Sequence, residues 1–176
     1  KDISVLNKLG FIPIIVHGGG KRISNKLNET GIKSEFVKGL RVTSKETIEV
    51  VEKVLIDFNK EIIEALKQQA CNSQTINSKQ NNIITVIQES TDLGFVGTPT
   101  EINKTIIDKI VDEKKVPVIA PLGLDESNQT YNINADTAAG SIAKKIEARR
   151  LIIMSDVEGV LDDNNKLIPE INSQSI

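Results

Sequence analysis

The chain has 176 residues, of which 39% are hydrophobic and 26% charged, which suffices for one folded domain or two small lobes with a buried core. Its net charge of -2 and its 3% aromatic content argue against nucleic-acid and anionic-membrane partners. The longest apolar run, residues 11–16, is far shorter than the roughly 18 residues that a membrane span needs. One cysteine and one histidine allow neither an internal disulfide nor the ligand set of the usual zinc site, so we predict no metal site built by the protein.

The chain begins with a predicted helix, a strand and a second helix. Apolar residues recur at helical spacing from Ile3 to Leu9, and Gly10 follows as a stop signal. The apolar run over residues 11–16 predicts a buried strand. The pattern over residues 21–30 then predicts the second helix.

Three consecutive glycines, Gly18 to Gly20, separate that strand from the second helix. Glycine can adopt a positive φ, and its bare backbone lets a ligand approach the N–H groups closely. A helix N-terminus adds unpaired N–H groups and a positive dipole end, so we predict an anion here, with phosphate as the first candidate. Ile15 and Arg22 do not fit a P-loop, and Ile23 does not fit the dinucleotide fingerprint. His17 is predicted to be a structural hydrogen-bonding residue, because no Ser or Cys nucleophile pattern accompanies it.

A long amphipathic helix follows, and then a polar stretch. The sequence from Thr43 to Glu46 has capping-box spacing, and apolar residues then recur at steps of three or four as far as Leu66. Thirteen of the twenty residues from 72 to 91 are Asn, Gln, Ser or Thr. We therefore predict an irregular, solvent-facing excursion there, with room only for short strands such as residues 83–87.

The second half of the chain alternates between predicted strands and helices, from which we expect an α/β fold with a largely parallel sheet buried on both faces. Ligand sites in such folds lie beyond the carboxyl ends of the strands. The predicted elements are a strand over 95–102, a helix over 104–114 capped by Asn103, a buried strand over 116–120, a turn over 124–129, an extended segment over 131–135, a helix from Asp136 to about Ala148, a strand over 151–154 and a hairpin tip over 162–165.

Polar side chains alternate at Asn132, Asn134 and Asp136, so two amides and a carboxylate are expected on one side of an extended segment. Such a row can hold a polar ligand. The alternative is a helix capped by Asp136 and preceded by two loop asparagines. The planar guanidinium of Arg41 can bind a carboxylate through two parallel hydrogen bonds, although a surface salt bridge is the commoner role of an arginine.

Several motifs together resemble those of the acetylglutamate kinases, which have the amino-acid-kinase fold. Their order and spacing match from about residue 8 to residue 170. The motifs are VHGGG at 16–20, GLRVT at 39–43, GFVG at 94–97, PVIAP at 117–121, YNINADTAA at 131–139 and SDVEGVLD at 155–162. The resemblance implies a three-layer sandwich with a mainly parallel central sheet, and transfer of the ATP γ-phosphoryl group to the side-chain carboxylate of N-acetyl-L-glutamate in arginine biosynthesis.

The resemblance also implies roles for individual residues. The backbone N–H groups of Gly19 and Gly20 stabilise the transferring phosphoryl group in this pattern. Arg41 and Asn132 hold the α-carboxylate of the substrate, and Asn134 lines the same pocket. A carboxylate nucleophile is already ionised at neutral pH and needs no general base, which suits a chain without an evident catalytic Ser, Cys or His.

The remaining family positions concern the catalytic charges and the nucleotide. Asp136 matches the carboxylate that organises the catalytic lysines, and Mg²⁺ arrives bound to the phosphates of ATP. Part of the nucleotide-binding loop matches Asp156, Val157, Glu158, Gly159, Val160 and Leu161. Residues 1–149 then correspond to an acetylglutamate-binding and dimerisation lobe without its first strand, and residues 150–176 to the beginning of the ATP-binding lobe.

In two respects the chain departs from the family pattern. The family's two catalytic lysines fall before Lys1 and beyond Ile176, so we expect little or no kinase activity from these 176 residues alone. Residues 78–81 read SKQN where the family usually has Ser, Lys or Gly, Asp and Gly, which leaves the local structure open.

The resemblance also bears on partners. The long helix from Ser44 is expected to pair subunits in a homodimer or a higher homo-oligomer, and some relatives bind a nitrogen-signalling protein. The cell compartment is expected to be the cytoplasm, or the plastid stroma if the source is an alga. The alternatives are a non-catalytic piece for ligand binding or assembly, and a sister amino-acid kinase.

Overall fold

The structure, a computed structural model, describes residues 1–154, 159–160, 162 and 166–170. Within these residues, helices alternate with short strands, which confirms the predicted α/β class. The helices are α1 (Asp2–Lys8), α2 (Gly20–Glu29), α3 (Lys45–Gln68), α4 (Lys104–Asp112) and α5 (Ala135–Lys145). The strands are β1 (Ile15–Val16), β2 (Phe36–Val37), β3 (Leu40–Arg41), β4 (Ser73–Ile76), β5 (Ile84–Gln88), β6 (Gly97–Ile102), β7 (Val116–Ile119), β8 (Leu122–Leu124) and β9 (Thr130–Asn132).

A parallel three-stranded sheet in the order β1-β7-β4 lies at the centre of the chain. All four residues of β7 are buried, as predicted for a strand covered on both faces. Val116 and Val118 pack with Leu66 of α3, whereas Ile119 packs with residues of α4 and α5. The parallel strands therefore end together next to the start of α2, where a ligand site is expected.

A second sheet of mixed direction continues from the first, in the order β6-β5-β8-β9. The β5–β6 and β8–β9 pairs are antiparallel, and only the β5–β8 pair is parallel. Strand β7 passes into β8 through Ala120 and Pro121, where the Leu122 N–H donates to the Ala120 carbonyl at 2.8 Å. The sequence analysis did not predict this antiparallel half, because short apolar strands carry no signal for the direction of their neighbours.

The prediction of an irregular, solvent-facing excursion over residues 72–91 is wrong, although the short strand that it allowed at 83–87 is present as β5. This stretch contains β4, which pairs with β7, and β5, which lies between β6 and β8. Ile76, Ile84 and Val86 are buried in the main core cluster. Part of the polar composition is satisfied internally: Ser78 donates to Glu52 at 2.6 Å, and the side-chain oxygen of Asn77 accepts two backbone hydrogen bonds. The Ser73 hydroxyl and the Asn82 side-chain oxygen are buried without a partner among the described residues.

Two of the three predicted helix caps are displaced in the structure, whereas Asn103 is the N-cap residue of α4 as predicted, without a side-chain hydrogen bond. Helix α3 is capped by Ser44, whose hydroxyl accepts from the Thr47 N–H at 3.2 Å, and not by Thr43. The backbone of Thr43 is instead bonded to residues 93 and 95. Helix α5 is capped by Asn134, so Asp136 lies inside the first helical turn and the predicted cap at Asp136 is wrong.

Two predicted strands differ from the structure, and a predicted hairpin tip is described only in part. The strand predicted over residues 11–16 is reduced to Ile15–Val16, and Phe11 and Ile12 are exposed. The strand predicted over 151–154 is wrong: none of the described strands pairs with these residues, and their side chains are exposed, so no ladder holds them extended. Of the predicted hairpin tip at 162–165, residues 163–165 lie outside the described residues, and a bond from the Asp162 N–H to the Lys166 carbonyl spans them.

No helix in the described part of the chain is long and apolar enough to cross a membrane.

Candidate ligand-binding site

A pocket of about 210 Å³ opens at the carboxyl ends of β1 and β9 and the start of α2. It lies where the sequence predicted a site, beyond the ends of the strands. The structure brings all five predicted substrate-binding residues to its wall: Gly19, Gly20, Arg41, Asn132 and Asn134. Apolar side chains complete the wall, among them Ile23, Phe36, Leu55 and Ile133. The pocket thus combines an apolar lining with a few converging polar groups, which is typical of small-molecule sites.

The glycine loop contributes bare backbone to this pocket. None of its three glycines has a positive φ, so that part of the prediction is wrong. A Cβ on Gly19 would lie 2.7 Å from the Leu55 side chain, whereas a Cβ on Gly20 would meet nothing within 4 Å. Among the described residues, none accepts a hydrogen bond from the N–H groups of Gly19 or Gly20. Space above Gly20 and two available donors make this loop suitable for an anionic ligand group.

Behind the loop, His17 is buried in a hydrogen-bond network that the sequence analysis foresaw only in outline. Its Nδ1 lies 3.1 Å from the Gly18 carbonyl, and its Nε2 lies 3.1 Å from the side-chain nitrogen of Asn59. Its ring meets Phe58 edge to face, with the ring centroids 5.2 Å apart. Burial lowers the pKa of His17, and the bond to Gly18 raises it only in part. His17 is therefore neutral near pH 7 and supports the loop rather than the chemistry.

Arg41 is buried at the floor of the pocket, with 6% of its surface exposed. Its guanidinium donates to Ser34, to Ser24 at 3.0 Å and to the Gly20 carbonyl at 3.2 Å. The ring of Phe36 lies 4.5 Å from the guanidinium carbon. No carboxylate of the described residues forms an ion pair with Arg41, and burial lowers the pKa of its guanidinium. The predicted alternative, a surface salt bridge, is wrong.

The hairpin of β2 and β3 carries Arg41 and covers one side of the pocket. Its two turn residues, Lys38 and Gly39, have φ of 48° and 81°. Positive φ at both positions is typical of the tight hairpin turn whose twist matches that of the strands. The hairpin thereby fixes the distance between Phe36 and Arg41, which pair directly across the two strands.

The predicted polar row divides at the start of α5. The Asn132 amide nitrogen lies 3.4 Å from the Thr43 hydroxyl, and Asn132 lines the pocket. Asn134 also lines the pocket, but its side-chain oxygen accepts from the backbone N–H groups of Asp136 and Thr137, both at 3.0 Å. Asp136 is exposed on the first turn of α5 and is not part of the pocket wall. Only the first two residues of the row converge on the ligand space.

Sequence reasoning missed Asn59, which is fully buried in α3. The sequence did contain a signal for it. Between the apolar residues Leu55 and Ile62, position 59 fits the helical spacing of three or four residues as well as Phe58 does. A polar residue on the core-facing stripe of a helix calls for a hydrogen-bond partner, which here is His17. Ser24 and Ser34, which hold Arg41, had no recognisable signal because serine is common on exposed helix faces and in loops.

The predicted nucleotide loop lies mostly outside the described residues. This applies to Asp156, Val157, Glu158 and Leu161. Of the remaining two, Gly159 has a φ of 154°, and the Val160 carbonyl accepts from the Ile168 N–H at 2.8 Å. Within the described part of the chain, no group of three or more His, Cys, Asp or Glu side chains is placed to hold a metal ion.

Comparison with known proteins identifies the family. The sequence model of the family described as "Amino acid kinase family" matches residues 1–176, the whole chain. The chain belongs to the amino acid kinase family. Among curated members, an acetylglutamate kinase of Pelagibacter ubique is 67% identical over 174 residues, which are 99% of this chain and 60% of that protein. An acetylglutamate kinase of Roseobacter denitrificans is 42% identical over 177 residues, 100% of this chain and 62% of that protein.

Solved structures share the fold of the chain. The crystal structure of smu.665 from Streptococcus mutans UA159 has a TM-score of 0.87 at 33% identity, covering 92% of this chain and 67% of that one. An N-acetylglutamate synthase of Neisseria gonorrhoeae, complexed with coenzyme A and N-acetyl-glutamate, has a TM-score of 0.80 at 20% identity, and this likeness concerns the fold alone. The chain spans about 60% of the length of the curated amino acid kinases that it matches.

Proposed function

We propose that this protein is an acetylglutamate kinase, which phosphorylates the side-chain carboxylate of N-acetyl-L-glutamate with ATP in arginine biosynthesis. The relatives of that name support the proposal, at up to 67% identity among those quoted. The observation that carries it in the structure is the buried guanidinium of Arg41, which lacks a carboxylate partner among the described residues and lines the pocket. A buried cation without a counter-ion is costly, so its place in the pocket favours an anionic ligand.

The pocket residues take the following roles in this proposal. Arg41 and the Asn132 amide bind the α-carboxylate of N-acetyl-L-glutamate, and Asn134 borders the same ligand. The N–H groups of Gly19 and Gly20 stabilise the negative charge on the group in transfer, as backbone donors do in other acyl and phosphoryl transfers. Since the attacking carboxylate is already ionised, the residues need only align two anions and offset their charge.

The nucleotide end of the site is proposed from the family pattern. The Gly19 and Gly20 N–H groups, which have no acceptor in the described part of the chain, and the open space at Gly20 fit an anionic phosphoryl group. ATP, with Mg²⁺ on its phosphates, supplies that group when bound, and residues 156–161 hold the nucleotide. Asp136 orients the catalytic lysines of the family pattern. The division into a substrate lobe over 1–149 and a nucleotide lobe from 150 is part of this proposal.

Homo-oligomerisation through α3 and binding of a nitrogen-signalling protein remain predictions. None of the large apolar side chains of α3, all of whose residues are described, is exposed. Exposed apolar side chains lie on other parts of the chain, including α1 and the segment after it, at Val5, Leu6, Leu9, Phe11 and Ile12. A dimer formed through α3 would therefore rest on half-buried side chains such as Val50 and Val54. The compartment stays a prediction as well, and the relatives quoted by organism are bacterial.

Calorimetric titration with N-acetyl-L-glutamate tests the substrate assignment. We expect the parent chain, which is the 176-residue chain without substitutions, to bind it. Arg41→Ala should weaken binding by about 2–5 kcal/mol, or roughly 30-fold and more, because a buried charge pair loses one partner. Arg41→Lys recovers only part of the affinity, since an ammonium group cannot form the two-pronged contact. Arg22→Ala is the matched control, because Arg22 is exposed and paired with Glu61 at 2.9 Å.

A second ligand separates the role of Arg41 from general damage. 4-Acetamidobutanoate is N-acetyl-L-glutamate without its α-carboxylate, so the parent should bind it weakly and Arg41→Ala should change its affinity little. Equal affinity of the parent and Arg41→Ala for N-acetyl-L-glutamate would show that Arg41 is not the carboxylate site. Tighter binding of unacetylated aspartate or glutamate would favour a sister kinase instead.

A further inference from the structure

The peptide bond between Gly18 and Gly19 has one end fixed and the other available. Its carbonyl is the atom that His17 Nδ1 contacts at 3.1 Å. Its N–H, which belongs to Gly19, has no acceptor among the described residues, and Gly19 lines the pocket. In a planar trans peptide the carbonyl and the N–H point in opposite directions. A carbonyl held on the buried side therefore leaves the N–H directed away from His17.

Hydrogen-bond partners assign the tautomer of His17. The side-chain nitrogen of Asn59 can only donate, so His17 Nε2 accepts and Nδ1 carries the hydrogen that goes to Gly18. The same nitrogen of Asn59 also donates to the Val118 carbonyl at 3.0 Å. That carbonyl can only accept, which excludes the flipped amide, and the Asn59 oxygen accepts from the Thr75 hydroxyl. A continuous chain of donors thus leads from Thr75 on β4, through Asn59 on α3 and His17, to the glycine loop.

We propose that Thr75, Asn59 and His17 are positioning residues that hold the Gly18–Gly19 peptide with its N–H aimed at an anionic group of the bound ligand. The inference rests on the proposed function, because the ligand is the acetylated dicarboxylate assigned there. The loop has no side chains of its own and no positive φ to fix its orientation. Full burial of Asn59 and near-complete burial of His17 make this arrangement rigid, since any other orientation leaves a buried polar atom unpaired.

The first test uses the parent chain without ligand. Nitrogen NMR of the single imidazole, which has no other histidine to overlap it, distinguishes the two neutral tautomers. We expect the Nδ1–H form throughout neutral pH. The Nε2–H form would overturn the proposal, because Gly18 would then lose its donor.

The second test separates positioning from folding. His17→Asn keeps a side-chain nitrogen at the place of Nδ1, whereas His17→Leu has similar bulk and no donor. We expect His17→Leu to bind N-acetyl-L-glutamate about tenfold more weakly or worse, the loss of one hydrogen bond to a charged group, and His17→Asn to stay within about threefold of the parent. The Gly19 amide resonance should shift on ligand saturation in the parent and in His17→Asn but not in His17→Leu.

A control variant measures the effect of lost stability alone. Leu66→Ala removes a buried side chain of α3 in the cluster around Cys71, away from the pocket wall, and should bind the ligand like the parent. Equal affinity of His17→Leu and the parent would overturn the positioning role and leave the proposed function intact. Absence of N-acetyl-L-glutamate binding by the parent would instead overturn the proposed function, while the tautomer measurement would still decide whether the donor chain exists.

Discussion

At the scale of single residues, Arg41 and His17 are the two buried ionisable groups closest to the glycine loop, and their environments differ. Arg41 keeps its charge and is held by hydroxyl and carbonyl oxygens, so a ligand anion can complete its coordination. His17 contacts only neutral partners, the Gly18 carbonyl and the Asn59 amide, and burial favours its uncharged form. One residue is thus arranged to meet an anion, and the other to stay neutral.

The lowered pKa of His17 predicts a pH dependence of folding. The ordinary pKa is 6.5, and the folded-state value lies below it. As pH falls below 6.5, His17 of the unfolded chain binds a proton, whereas His17 of the folded chain stays neutral. Its contribution to the free energy of unfolding is therefore complete above pH 6.5 and is lost as the pH falls toward the folded-state pKa. Urea unfolding between pH 7.5 and 5.5 should show a decline of at most about 1.4 kcal/mol per pH unit from this group.

The variant His17→Asn should remove that part of the slope, since the chain has no second imidazole. Glu52, whose pKa is lowered from an ordinary 4.5, loses its contribution only at lower pH and does not interfere. An unchanged slope in His17→Asn between pH 6.5 and 5.5 would mean that His17 is not buried in its neutral form.

At the scale of elements, the hairpin of β2 and β3 shows how turn geometry places a functional side chain. Four residues, from Val37 to Leu40, reverse the chain and align Phe36 with Arg41. The turn depends on positive φ at Lys38 and Gly39, which glycine adopts without strain. Asn81, in the connection between β4 and β5, likewise adopts a φ of 57°, a conformation that asparagine tolerates better than most residues.

Substitution of Gly39 isolates this backbone effect. Gly39→Ala would meet no atom within 4 Å, so its cost comes from φ alone, and we expect a loss of about 1–2 kcal/mol in the free energy of unfolding. Gly140→Ala is the matched control: it too has open space, but it lies inside α5 and should stabilise by about 0.5–1 kcal/mol. Denaturant titration measures both variants. Equal effects of the two substitutions would show that the turn does not need its left-handed residue.

At the scale of the whole molecule, α3 connects the two sheets through polar contacts as well as apolar ones. The buried face of α3 includes Ile48, Val51 and Leu55, which pack under the pocket. Its Glu52 accepts from Ser78 at 2.6 Å and from Thr130 at 2.7 Å, and it pairs with Lys79 at 3.2 Å. Burial raises the pKa of Glu52, but these hydrogen bonds outweigh it and the pKa lies below its usual value. One carboxylate therefore ties the β4–β5 connection and β9 to the same helix.

Removal of that carboxylate should destabilise the fold as a whole. Glu52→Ala leaves the hydroxyls of Ser78 and Thr130 without their acceptor, and we expect a loss of about 2–3 kcal/mol in the free energy of unfolding. Glu49→Ala, on the exposed side of the same helix, should change it by no more than about 0.5 kcal/mol. Thermal and urea unfolding measure the difference. Indistinguishable values for the two variants would show that Glu52 is an ordinary surface carboxylate.

Prediction from sequence succeeded where the signal is local. The periodic apolar residues of α3 and the polar pair Asn132 and Asn134 are where the sequence placed them, and the strand before the glycines is present over its last two residues. It failed for residues 72–91, where we predicted a solvent-facing excursion and the structure has strands, and for residues 151–154, where we predicted a strand and the structure has none. Strands depend on partners distant in sequence, so the polar segment became β4 beside β7, whereas the apolar segment 151–154 found no partner among the described strands.

The sequence by itself determined the α/β class, because apolar periods and glycines act over a few positions, and its motifs indicated the family and five of the residues that line the pocket. Only the tertiary structure decided what those residues contact. It buried Arg41 without a carboxylate partner among the described residues, capped α3 at Ser44 and α5 at Asn134, placed Asp136 outside the pocket and joined Thr75, Asn59 and His17 behind the glycine loop. The physical reason is distance along the chain: hydrogen bonds between residues 17, 59 and 75 form only after the helix and both strands have packed.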